Sequence, residues 1–241
     1  SGNTTITLVS LSDGTYSDCT VTVTDAAGNS VTLNMSSFTV DTTAPSVSSF
    51  ILSDTLLKTG DNATVDLVFS EVVVGFSSAD DINLDNANGT LTAMTSSDNK
   101  TWEGTFTPTA NTEDWSNSFW LRTSYTDTAG NTGTAATTAS YMVDDNDPSV
   151  SSFTLSDTAL KAGDNATVTL VFSEAVASFS SDADITAAGT AGAADNGSLA
   201  TMTSSDNITW TGTFTPPADR EDATNTLSLA NSWTDTVGNP G

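Results

Sequence analysis

The sequence predicts an all-β chain of tandem two-sheet sandwiches, and three observations carry that expectation. The segment PSVSSFILSDTLLKTGDNATVDLVFSE (45–71) returns without a gap as PSVSSFTLSDTALKAGDNATVTLVFSE (148–174), an offset of 103 residues. Apolar residues inside the copies alternate with a period of two, as half-buried strands require. No segment shows a helical period, and the turn signals TGDN, DNANG, SSDN and TAGN punctuate the chain at short intervals.

The elements follow in order. Strands are expected near residues 47–53, 64–71, 82–85, 90–95, 101–107, 118–126 and 134–143 of the first whole copy. NATVDLVFSE places Val65, Leu67 and Phe69 on one face, and KTWEGTFTP does the same for Trp102, Gly104 and Phe106. FWLRTSYTD places Phe119, Leu121, Thr123 and Tyr125 together. About seven short strands in roughly a hundred residues is the size of an immunoglobulin-like sandwich. Trp102 and Trp210 are expected to plug the cores.

A second matching stretch refines the repeat. MTSSDNKTWEGTFTP (94–108) and MTSSDNITWTGTFTP (202–216) are offset by 108, so the later copy carries five extra residues, which fall at 186–198 and read as a longer surface loop. TDAAGN (24–29), TDTAGN (126–131) and TDTVGN (234–239) mark three copies of one turn. Residues 1–44 therefore read as the C-terminal half of a repeat, 45–147 as a whole repeat, and 148–241 as a repeat without a counterpart of the last strand. Half a sandwich is not expected to be stable unless it pairs with something. Cys19 aligns with Leu121 and Leu229 and is expected to be a small buried hydrophobe; a lone cysteine forms no internal disulfide.

The charge is one-sided, with 30 Asp plus Glu against 5 Lys plus Arg, a net −25. A nucleic-acid partner needs a basic footprint, and an anionic membrane surface needs one too, so both are disfavoured. No apolar run reaches the length of a membrane helix. Divalent cations are favoured instead. Catalysis has little support. There is no histidine, and no nucleophile elbow, phosphate loop or zinc-type spacing occurs. The acids recur with the repeat, as structural ligands do, so the chain is read as no enzyme.

Taken together, the VDTTAPSVSSF junction, the VFSE strand, the SSDNxTWxGTFTP hairpin and the TDTAGN turn resemble the bacterial immunoglobulin-like repeats of large calcium-dependent surface adhesins, including those of the repeats-in-toxin class. The resemblance covers essentially the whole chain. It implies an extended rod of tandem sandwiches at the cell surface, stiffened by calcium at the junctions, with target binding left to other domains near the tip.

Calcium takes about six to eight oxygen ligands, and two kinds of site can be drawn. A junction site uses Asp144, Asp145 and Asp147 of DDNDP with carboxylates from a loop of the next repeat, and Asp41 at the first junction. A turn site uses Asp25, Asp127 or Asp235 with nearby carbonyls, although Asp in such a turn also simply caps its own backbone. Glu71 and Glu174, which end the VFSE strands, are further candidates. Antiparallel strands put the Asp127 turn and the end of the Asp144 strand at opposite ends of a sandwich, so the two are not assumed to share an ion. A turn leaning on the linker would merge the two kinds of site.

The expected function is a stalk segment of a secreted or surface-anchored bacterial adhesin, with neighbouring repeats of the same chain as partners and Ca2+ as the cofactor. The alternative is a surface filament or layer subunit in which copies of the chain complete one another's open sheets. A weaker third reading gives ligand binding to the 186–198 loop.

Overall fold

The computed structural model describes residues 10–188, 196–218, 221 and 223–241. The core of the 186–198 loop, residues 189–195, lies outside the described residues. The chain forms two compact units. One comprises Ser1–Thr55, Asn62–Thr107 and Asn117–Ser140; the other comprises Leu56–Asp61, Pro108–Ser116 and Tyr141–Gly241.

The first unit is built on a four-stranded sheet in the order Gly89–Leu91, Thr101–Pro108, Ala63–Phe69, Val47–Leu52. The ATVDLVF strand alternates as its sequence requires, and Val65, Leu67 and Phe69 are wholly buried. The second layer is made of shorter pieces. Trp120–Leu121 lies between Ala136–Thr137 and Ile82–Asn83, and Thr126–Asp127 pairs with Val73–Val74. Aromatic rings fill the space between the layers. Phe69 meets Tyr125 at 4.7 Å and Phe76 at 5.4 Å, and Phe106 meets Phe119 at 5.0 Å. Trp102 stands edge-on to Phe76 at 4.8 Å.

Several features differ from the sequence expectation. The strand expected over 134–143 divides into Ala136–Thr137 and Tyr141–Asp144, which belong to different sheets, and Glu113–Asn117 forms a strand that was not expected. Residues 118–126 do not form one strand. Arg122 donates its N–H to the Asp81 carbonyl and Ser124 donates its hydroxyl to the Asp81 carboxylate, which pulls the segment off the sheet and leaves Thr123 exposed while Leu121 and Tyr125 stay buried. Asp81 ends a one-turn helix, Ser78–Asp81, repeated as Ser181–Asp184. Four residues are too few to display a helical period.

Between residues 14 and 40 the chain forms two ribbons. Thr20–Thr24 pairs with Ser30–Asn34, and Gly14–Tyr16 pairs with Phe38–Val40. Val21, Val23, Val31 and Leu33 share one face of the first ribbon, and the last three are 58, 57 and 62% exposed. Cys19 is half-exposed rather than buried, because no second layer covers that face among the described residues.

In the second unit, Tyr141–Asp144 runs parallel to Leu56–Leu57, with Val143 opposite Leu57, and has Glu113–Asn117 on its other side. The second repeat rebuilds the four-stranded sheet as Val150–Leu155, Ala166–Phe172, Thr209–Thr215 and Ser198–Leu199. Ile185–Ala188 pairs with Thr226–Leu229 in the opposing layer. Phe172, Phe179, Trp233 and Met202 close its core, and Trp210 packs on Phe179 at 4.9 Å.

Candidate metal centre

The structure brings acids together twice. Asp41, Glu71 and Asp127 offer carboxylate oxygens that all lie within 4.8 Å of one another, and so do Asp144, Glu174 and Asp235. Each cluster draws on the same three pieces of chain. The first piece is the linker: Asp41 follows the Phe38–Val40 strand, and Asp144 ends Tyr141–Asp144. The second is the residue two beyond a central strand, Glu71 after Ala63–Phe69 and Glu174 after Ala166–Phe172. The third is the first acid of the TDxxGN turn.

The turn shows why its residue types recur. Asp127 Oδ1 accepts the backbone N–H groups of Ala129 at 2.8 Å, Gly130 at 2.7 Å and Asn131 at 2.9 Å. Gly130 supplies a φ of +95°, a conformation that residues with a side chain rarely adopt. The Asn131 amide donates to Asp127 Oδ2 at 2.7 Å and to the Asp41 carbonyl at 3.0 Å, so the turn holds the linker backbone directly. Asp235 repeats the arrangement with Val237, Gly238 and Asn239, and Asn239 Nδ2 reaches the Asp144 carbonyl at 2.9 Å. Lys58 Nζ donates to the Gly238 carbonyl at 2.5 Å.

Burial and like charge both work against ionisation here. The Glu71 carboxyl is pushed up by burial and then by Asp41 and Asp127, with Lys100 acting against them. Glu174 is pushed up by burial, then by Asp144 and Asp235, and Asp144 by burial, against an N–H bond from Asn146, with Asp235 adding to it. Asp127 is pulled the other way: burial acts to raise it, but the bonds from Asn131, Ala129 and Gly130 hold it below the usual carboxylate range. Each cluster is thus a set of hard oxygen donors with charge to be compensated, the donor set suited to calcium or magnesium.

The remaining candidate acids lie outside both clusters. Asp25 forms the same turn, accepting Ala27 and Asn29 N–H groups, but it is exposed and, among the described residues, belongs to no cluster of three acids. Asp145 accepts from the backbone and hydroxyl of Thr59 and from Thr112 N–H, so it ties loops together. Asp147 is exposed, on the rim of a cleft that Glu113 and Glu174 also line. The two kinds of site drawn from the sequence merge, because the turn that meets each linker is the turn of the repeat that follows it. The signal for this pairing was the conserved spacing of 30 residues from Asp41 to Glu71 and from Asp144 to Glu174. Two buried acids escaped the sequence reading. Asp81 and Asp184 are 2 and 3% exposed and hold the one-turn helices through Ser77 and Ser180 N–H groups.

Comparison with known proteins adds the family. No curated protein sequence matches the chain. Among solved structures, the chain is similar to the Escherichia coli adhesin FdeC, at 14% identity and a TM-score of 0.39 over 82% of this chain and 68% of that one. It is also similar to the Dpr2 Ig1-Ig2 and DIP-Theta Ig1-Ig3 complex, at 9% identity and a TM-score of 0.24 over 78% of this chain and 97% of that one. The family model described as "Bacterial Ig-like domain" matches residues 41–143 and again 144–241. With two consecutive matches that span most of its length, the chain belongs to the bacterial Ig-like domain family.

Proposed function

We propose that this chain is a stalk segment of a bacterial surface adhesin, in which a divalent cation, calcium in the extracellular setting, occupies each three-carboxylate cluster and fixes the linker to the repeat that follows it. The observation that carries this reading is the duplication. Linker Asp, strand-end Glu and turn Asp converge at both junctions although the linker-to-turn separation is 86 residues in one and 91 in the other.

The division of labour follows from the residues. Asp127 and Asp235 are oriented by their own turns, so they present one face of the carboxylate preorganised. Asn131 and Asn239 fix the linker backbone, which positions Asp41 and Asp144. Glu71 and Glu174 supply the charge that is least content without a counter-ion. The bound cation supplies the missing positive charge and further ligand sites for carbonyls or water. Pro45 and Pro148, a few residues on, narrow the backbone freedom of each linker. The result of cation binding is a junction with one preferred geometry, so that a flexible string of sandwiches behaves as a rod. Millimolar external calcium fills even a site of about 10⁻⁴–10⁻³ M.

Cation binding to the folded state stabilises it by linkage. Thermal melts in calcium, in magnesium and in chelator at matched ionic strength test the reading. A rise of the melting temperature of many degrees, larger in calcium than in magnesium, is expected. Superimposable melts in all three leave the acids as solvated linkers and turn caps and sink the proposal.

A further inference from the structure

In the first repeat, Trp120–Leu121 is the middle strand of a short three-stranded sheet, between Ile82–Asn83 and Ala136–Thr137. Leu121 faces the core and is wholly buried, so Trp120 stands on the outer face, where it is 47% exposed. Asn83 and Thr137 lie directly opposite it, one on each side, at about 4.5–5.5 Å between β-carbons. Asn83 is held in place. Its amide donates to Asp85 Oδ2 at 2.9 Å, and its Oδ1 accepts the Asp85 N–H at 2.8 Å. This pair brings an exposed carboxylate to the edge of the indole. Arg122, also exposed, follows two residues after Trp120.

A single exposed indole is ordinary on a protein surface, but the repeat sets this one apart. The second repeat builds the same two strands in the same register, with Ile185 opposite Leu229 as Ile82 is opposite Leu121. The inward residues correspond. The outward ones do not: Trp120 is replaced by Ser228, Asn83 by Thr186 and Arg122 by Ala230. Thr186 and Ser228 stand opposite one another as Asn83 and Trp120 do. The sheet therefore forms without an indole, an amide or a guanidinium on this face, and folding does not account for them in the first repeat.

The chemistry of the face narrows what does. Half of an indole offers on the order of 100 Å² of apolar surface, far below the roughly 800 Å² that each partner buries in a standard protein interface. Around it stand an amide, a hydroxyl, a carboxylate and a guanidinium. The fitting ligand has one apolar face the size of a ring and hydroxyl groups around its edge. The net charge of −25 disfavours an anionic one. We propose that this face binds a neutral pyranose unit of a glycan. The C–H groups of the sugar stack on the Trp120 indole, Asp85 accepts from its hydroxyls, and Asn83 positions Asp85. The inference goes beyond the stalk reading, since it gives the first repeat a ligand of its own, and it depends on no cation.

Titration with the methyl glycosides of glucose, galactose, mannose and N-acetylglucosamine, followed by NMR of the tryptophan indole N–H groups, tests it. At least one glycoside is expected to shift the Trp120 signal saturably, with a Kd in the millimolar range, and to leave unmoved the signal of Trp115, an indole that is 59% exposed. Trp120→Ser, which follows the second repeat at this position, is expected to keep the melting temperature and to abolish binding, read on the signals of the glycoside itself. Asp85→Ala is expected to weaken binding about tenfold. The absence of a saturable shift with all of these glycosides, equal shifts at Trp115 and Trp120, or binding that Trp120→Ser leaves intact overturns the proposal. A molar mass that grows with concentration, and that Trp120→Ser returns to 24.7 kDa, assigns the face to a second copy of the chain and overturns it as well.

Discussion

Asp184 and Glu174 are acids of the same repeat, one buried and one half-buried, and their neighbours differ. Asp184 receives the Ser180 N–H at 2.8 Å and the Ser232 hydroxyl, so its charge is already satisfied. Glu174 is faced by Asp144 and Asp235. Replacing Asp184 by Ala removes the charged acceptor of both bonds, and a loss of about 1–3 kcal/mol is expected, equal in calcium and in chelator. Replacing Glu174 by Gln keeps the shape and removes a repelled charge. The melting temperature in chelator is expected to stay level or rise, while the gain on adding calcium shrinks. Calorimetry of both variants in both buffers separates a folding acid from a ligand. The sequence pointed to Glu174 through its place after VFS. It did not point to Asp184, since the SDAD run reads as an ordinary polar loop and its hydroxyl partner, Ser232, lies 48 residues on.

At the scale of elements, the turn between the SSDN signal and the long central hairpin has a measurable signature. Asp98 accepts the N–H groups of Thr101 at 2.7 Å and Lys100 at 2.9 Å, which hold its carboxyl down to about 2 from an ordinary 3.8. The folded value lies below the unfolded one, so its contribution is present above the unfolded value and is lost as the pH falls through about 2. Asp206 repeats the arrangement and is lowered in the same sense. The Asp98→Asn, Asp206→Asn double variant is expected to show a flatter acid limb than the unaltered chain in melts taken between pH about 4 and about 2. Close packing gives a second test. A β-carbon added at Gly133 would sit 2.1 Å from the Tyr125 ring, which is wholly buried and has no room to retreat. Gly133→Ala is expected to cost about 1–3 kcal/mol by chemical denaturation. Elements whose burial follows from their own alternation were readable in the sequence, as ATVDLVF shows. FWLRTSYTD was not, because bonds from Arg122 and Ser124 to Asp81 outweigh its period of two.

For the whole molecule, duplication was readable and convergence was not. The gapless offset of 103 announces repeats to anyone who aligns the chain with itself. That Asp41 should meet Asp127, 86 residues on, follows from which end of a sandwich each turn occupies, and residue spacing does not contain that information. Two clusters imply a stoichiometry. Equilibrium dialysis followed by elemental analysis is expected to find two tightly held calcium ions per chain. Asp25→Asn is expected to leave that number unchanged, and Asp41→Asn or Asp235→Asn to lower it by one.

The hydrogen bonds from Asn131 to the Asp41 carbonyl and from Asn239 to the Asp144 carbonyl attach each linker aspartate to the sandwich downstream of it. The natural cassette of this chain therefore opens at the aspartate and not at the proline four residues later. A duplication or deletion cut just before Asp41 or Asp144 moves every carboxylate of a cluster together, so repeats can be added to or dropped from a gene without leaving an incomplete site at either scar. A cut at Pro45 or Pro148 would strand one acid on the wrong side each time.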